Sequence, residues 1–153
     1  MACEYCDDVL GETADICLGD AWLDRYARDY RGTNIIIVRN NNILKLINKY
    51  SNDLYLDDLT TDEVYLTQAG GFRHRRNGLK YRLYLKKINE LWYPIKRVNL
   101  SNDLPEKRKK IYEKRLETIE KSYEFFVSAL RKNDFNIFKD NINILIDEYN
   151  KLY

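Results

Sequence analysis

Cysteine is scarce in this chain: three residues among 153, an odd number that makes no disulfide framework. No apolar run approaches the roughly twenty residues that cross a bilayer, which excludes a spanning helix. The acidic N-terminus lacks the charged-then-apolar layout of a signal peptide. A cytoplasmic location is therefore expected, where reducing conditions suit free thiols and thiolate ligands alike. Neither a P-loop nor a G-x-G-x-x-G fingerprint is present, so any flavin binding would not use a Rossmann turn. No serine or cysteine sits in a nucleophile motif, and a catalytic triad with the only histidine, His74, is not supported. Internal repeats and low-complexity segments are missing as well.

What remains is the composition of a soluble globular protein, 44% hydrophobic and 33% charged. The length suits one domain with a real core. A net charge of +2 conceals an asymmetry. Before Tyr30 there are eight acids against Arg25 and Arg28; between Phe72 and Lys110 there are thirteen lysines and arginines against Glu90, Asp103 and Glu106. A basic stretch of this kind meets phosphates, an acidic partner, or water.

The first twenty-two residues organise the rest. Cys3 and Cys6 stand two residues apart, and Asp7 and Asp8 follow at once. A two-residue spacer lets both thiolates of a tight turn face one metal ion or cluster corner. The pair supplies half of the four ligands that a closed site takes. From the residues alone, the alternatives are free surface thiols or half of a zinc site. Cys17 lies in an apolar run beside Ile16 and Leu18, where a buried cysteine acts as a small hydrophobe.

The run C-x-x-C-D-D, then G-E-T-A-D-I, then G-D-A-W, then Gly32 to Arg39 (GTNIIIVR) resembles the coenzyme F-420 hydrogenase/dehydrogenase beta-subunit family. It looks most like the C-terminal part of the bacterial members often encoded near polysaccharide pyruvyl transferases, and the resemblance covers roughly Ala2 to Arg97. It implies an iron–sulfur flavoprotein oxidoreductase, with Cys3 and Cys6 as two of the ligands of a 4Fe–4S cluster and FAD as the second cofactor. It also implies that the chain is the back portion of a longer protein. The missing ligands would then lie in an upstream part or a partner subunit. Reduced deazaflavin, nicotinamide or ferredoxin would serve as electron donor.

The order of elements predicts an α/β or α+β fold: a small mixed sheet with covering helices, then a C-terminal antiparallel helical hairpin. Ala14 to Leu18 reads as a buried strand. Asn34 to Arg39 reads as the clearest strand, and its successive β-branched residues predict cover on both faces. Asn40-Asn41-Asn42 reads as a turn and N-cap region before an apolar helix side of Ile43, Leu44, Leu46, Ile47 and Tyr50. Thr60-Thr61-Asp62-Glu63 carries N-cap chemistry, an oxygen side chain with carboxylates in the first turn, for a helix that runs to about Gln68, before Gly70-Gly71 interrupts it. A further helical run follows around Leu79 to Lys87. Ser101 to Pro105 reads as a linker, which gives domains at 1–102 and 103–153. Beyond it, two stripes, Tyr112 to Leu130 and Phe135 to Leu152, step by four and three and break at Asn133-Asp134.

Further candidate sites lie on the same runs. Gly19 and Asp20, with Asp15 before them, suit close approach of a flat ring or ribose to backbone; an ordinary strand-ending turn uses the same residues. Thr33 and Arg39 flank the central strand, and by resemblance this region lies near flavin and cluster. Arg39 serves a phosphate or reduced flavin in one reading, and a nearby acid in the other. The predicted loop Phe72-Arg73-His74-Arg75-Arg76 offers Arg73, Arg75 and Arg76 to the phosphates of FAD or of a nicotinamide or deazaflavin donor. Its plainer reading is a solvated basic loop paired to the acidic N-terminal segment. His74 among arginines has its neutral form favoured, which suits proton transfer. A rival in another class is a non-catalytic interaction module whose helical hairpin docks a partner. Nucleic acid is not an expected ligand, since the aromatics form no stacking motif and the acidic N-terminus opposes a polyanion.

Overall fold

The β-branched run and the apolar run before it pair with each other. In the computed structural model, which describes residues 2–153, β1 (Ile16–Asp20) and β2 (Asn34–Val38) form a two-stranded antiparallel ribbon. Ile16 lies opposite Val38 and Asp20 opposite Asn34. One face carries Cys17, Gly19, Ile35 and Ile37, and Ile35 on it is buried. The other face carries Ile16, Leu18 and Ile36, all exposed. The expected cover on both faces of β2 is therefore corrected. Four β-branched residues in a row do give a strand, but a ribbon this narrow covers one face only.

The chain divides into two compact units, Met1–Leu79 and Lys80–Tyr153. In the first, a 3-10 turn (Ala2–Tyr5) precedes β1, and the short α1 (Asp24–Ala27) joins β1 to β2. The helix α2 (Asn41–Lys49) starts where Asn40 accepts the N–H of Asn42. Both halves of a capping box, Thr60 and Glu63, open α3 (Thr61–Thr67).

The predicted glycine break is corrected too. The helix pauses at Gln68, and Gly70 and Gly71 lie inside the next turn, α4 (Ala69–Phe72). The basic segment Arg73–Asn77 is not a loop but a π-helical turn, and α5 (Gly78–Ile88) continues from it. Glycine serves close approach here rather than termination: a Cβ on Gly71 would stand 3.0 Å from Cγ1 of Val9.

The second unit holds the rest of α5, an irregular stretch that includes the candidate linker, and two long helices, α6 (Glu106–Lys132) and α7 (Phe135–Asn150). Pro105 stands just ahead of α6, Asn133 ends it in the left-handed conformation at φ 51°, and Asp134 caps α7 by accepting the N–H of Asn136. Arg115 meets the Tyr149 hydroxyl at 2.7 Å near one end, and Phe126 meets Phe138 edge-on at 5.9 Å near the other. Those pairings make α6 and α7 antiparallel, as the two stripes predict. Tyr81, Leu83, Ile111, Tyr112, Ala129 and Leu145 are the buried apolar residues of this unit. Lys109 pairs with Glu106 at 2.7 Å, so the basic first turn of α6 carries its own counter-charge.

Candidate functional site

The cysteine pair sits in a tight turn at the start of the first unit, closed by the Cys6 N–H donating to the Cys3 carbonyl at 3.3 Å. Both thiols are free; Cys3 is exposed and Cys6 is half-buried. The segment after them is held by local and distant donors. The carboxylate of Asp8 accepts the N–H groups of Leu10 (3.1 Å) and Glu12 (3.2 Å), which folds residues 8–12 over one side chain. Gly11 supplies the turn at φ +57°, a conformation that side chains resist.

Three arginines then grip this loop. Arg39, at the end of β2, donates to the carbonyls of Leu10 (3.1 Å), Gly11 (2.9 Å) and Ala14 (3.1 Å). Arg75 donates through Nη1 to the Asp8 carbonyl at 2.7 Å and to the Cys6 sulfur at 3.7 Å. Arg76 forms an ion pair with Glu12, its guanidinium lying 4.8 Å over the Phe72 ring. The contact of basic segment with acidic N-terminus is thus real, with backbone carbonyls taking as large a part as carboxylates.

The other predicted residues fall along the ribbon. At one end, the Asp15 carboxylate accepts from Asn40 Nδ2 at 3.0 Å, and its carbonyl accepts the N–H of Arg39 at 2.8 Å. At the other end, the Asp20 carbonyl accepts from Gln68 Nε2 at 2.9 Å, and the Thr33 carbonyl accepts the Ala21 N–H at 3.0 Å. Gly19 faces Ile35 across the ribbon. Arg73 opens the π-helical turn. The structure therefore gathers Cys6, Arg39, Arg75 and Arg76 about one loop, while Asp20 and Thr33 lie a ribbon's length from Asp15. Asp8, Glu12 and Gly71 belong to the site, yet sequence reasoning singled out none of them for that role. The Asp-then-Gly spacing after the cysteines was the available signal for the turn.

Away from the loop, the Thr60 N–H, then Arg25 and the Thr60 hydroxyl, hold the Glu63 carboxyl down to about 2.

Known proteins add one finding. The family model for the C terminus of the coenzyme F420 hydrogenase/dehydrogenase beta subunit matches residues 1–63. Over that stretch the chain is similar to this family. No curated protein and no solved structure matches the chain. The family-matched stretch holds Cys3 and Cys6, Asp8, Glu12, the ribbon and Arg39, and it ends ahead of Arg75 and Arg76. Among the described residues, no helix is long and apolar enough to cross a membrane.

The resemblance implies a cluster, and the donor set meets part of its demand. Two thiols on one turn, with a guanidinium nitrogen 3.7 Å from one sulfur, suit two positions of an iron–sulfur cluster. Among the described residues, no group of three or more histidine, cysteine or acidic side chains is placed to hold a metal ion. The pair fits such a cluster as half of its ligands.

Proposed function

We propose that the chain is the C-terminal part of an iron–sulfur flavoprotein oxidoreductase of the beta-subunit type, working in the cytoplasm. Cys3 and Cys6 hold two corners of a 4Fe–4S cluster, and two thiolates from an upstream part of the same protein or from a partner subunit hold the others. The bound cluster supplies single-electron transfer. Reduced deazaflavin, nicotinamide or ferredoxin is the proposed electron donor. The observation that carries the reading is the Cys3-x-x-Cys6 turn lying inside the family-matched residues 1–63.

FAD enters this proposal through the resemblance. Arg39, Arg75 and Arg76 donate to the cysteine loop, and Asp15, Gly19, Asp20, Thr33 and Arg73 are spread along the ribbon and the π-helical turn. These residues do not converge on one cradle, and no step is assigned to the flavin.

The test is anaerobic reconstitution with iron, sulfide and excess 2-mercaptoethanol, the small thiol standing in for the outside ligands. Wild type is expected to hold iron and to show broad visible absorption that Cys3→Ser/Cys6→Ser loses. Equal iron in the two proteins sinks the reading. A second reading is favoured by Tyr123, Phe126, Val127 and Leu130, exposed along α6. As a non-catalytic module, the hairpin would dock a partner there, and the protein would stay colourless under every reconstitution.

A further inference from the structure

Arg75 lies 69 residues from Cys6 and beyond the family-matched stretch, yet it is the group that touches the cysteine sulfur. Its Nη1 carries two hydrogens and finds two acceptors, the Sγ of Cys6 at 3.7 Å and the carbonyl of Asp8 at 2.7 Å. The short carbonyl bond fixes where the guanidinium stands, and it leaves the same nitrogen 3.7 Å from the sulfur. Cys6 Sγ also faces the Asp8 carbonyl, at 3.8 Å, so sulfur, carbonyl and guanidinium form one closed group. The π-helical turn sets this geometry. A π turn adds a residue to the helical repeat and rotates the residues after it, and here it presents Arg75 and Arg76 together to the loop.

We propose that Arg75 is a positioning residue of the cysteine site: its N–H···S bond orients the Cys6 thiolate and places a permanent positive charge on the ligating sulfur. This rests on the reading of Cys3 and Cys6 as iron ligands. Hydrogen bonds and charge at ligand sulfurs set the potential of an iron–sulfur centre, and partners outside the ligand shell hold ligands in place. A cation at the sulfur favours the reduced, more negative form. Arginine stays charged at every working pH, so the effect is a fixed bias rather than a switch.

The experiment uses the full chain, reconstituted with iron, sulfide and excess 2-mercaptoethanol, and reads both bound iron and the one-electron reduction potential. The set is wild type, Arg75→Gln, Arg75→Lys and Cys3→Ser/Cys6→Ser, with helix content followed by circular dichroism. Arg75→Gln is expected to favour the oxidised form about tenfold at a fixed potential, a drop of about 59 mV for one electron. Arg75→Lys keeps the charge without the planar fork and is expected to recover part of that drop. Loss of iron from Arg75→Gln with helix content intact also supports the proposal. If that variant does not fold, Arg75→Met is read in its place, and wild-type iron and potential there overturn the proposal. Wild-type iron and potential in Arg75→Gln overturn it alone and leave the cysteine reading standing. Equal iron in wild type and the double serine variant removes the cysteine reading and the role of Arg75 together.

Discussion

The two units of this chain hold themselves together by different means. In the second, α6 and α7 bury Ile111, Tyr112, Ala129 and Leu145, leave Tyr123, Phe126, Leu130 and Phe135 of their stripes exposed, and add polar contacts such as Arg115 to Tyr149 and Lys114 to Glu148. In the first, a narrow ribbon and several short helices bury Ala21, Ile35, Phe72 and Leu79, and the cysteine loop is held by three arginines and one aspartate. A helical hairpin stabilises itself by area, which is tolerant of sequence. A loop held by directed hydrogen bonds depends on single residues, and that precision suits a site whose ligands must stay in register.

The contrast can be broken most forcefully in the second unit. Ile111 is 1% exposed, and Ile111→Ala is expected to cost about 2–5 kcal/mol in denaturant unfolding, because the cavity does not collapse. A cost under about 1 kcal/mol would show that the hairpin core is not what stabilises that unit.

Next comes the contact of α4 with the loop. Gly71→Val is expected to cost about 1–3 kcal/mol by overpacking against Val9. Gly71→Ala should come out near neutral, since the gain in helix propensity, about 1 kcal/mol, offsets a contact that Val9 relieves by shifting slightly. Equal thermal midpoints for the two variants would remove the steric role given to Gly71.

Arg39→Ala is expected to cost about 1 kcal/mol, as water reaches the exposed carbonyls it leaves. Amide exchange should quicken over residues 8–14 and hold steady in α6 and α7. Uniform quickening would contradict the division into two modes of stabilisation.

A comparable effect is expected at the capping box, and the smallest at its carboxylate. Thr60→Ala should cost about 1 kcal/mol. The depressed Glu63 carboxyl favours the folded state above the usual carboxylate value of 4.5, and that contribution fades as pH falls from there toward about 2. Glu63→Gln should flatten the thermal midpoint between those pH values, and because solvent still reaches and screens the group the change is slight. An unchanged pH profile in Glu63→Gln would assign acid sensitivity elsewhere.

Periodicity and end signals lie within a few residues of each other, and the sequence carried them openly. The β-branched run of β2, the cap at Asn40, the box at Thr60 and Glu63, and the paired stripes on either side of Asn133-Asp134 all follow from local sterics and helix geometry. The Cys3-x-x-Cys6 spacing is local in the same sense. Residues far apart in the chain were settled only by folding. That Gly70-Gly71 would lie within a helix against Val9, that residues 73–77 would wind as a π turn, and that Arg39, Arg75 and Arg76 would close on the same loop are facts of approach in space. A guanidinium reads alike in sequence whether it faces a phosphate, a carbonyl or water; only the fold brings it an acceptor.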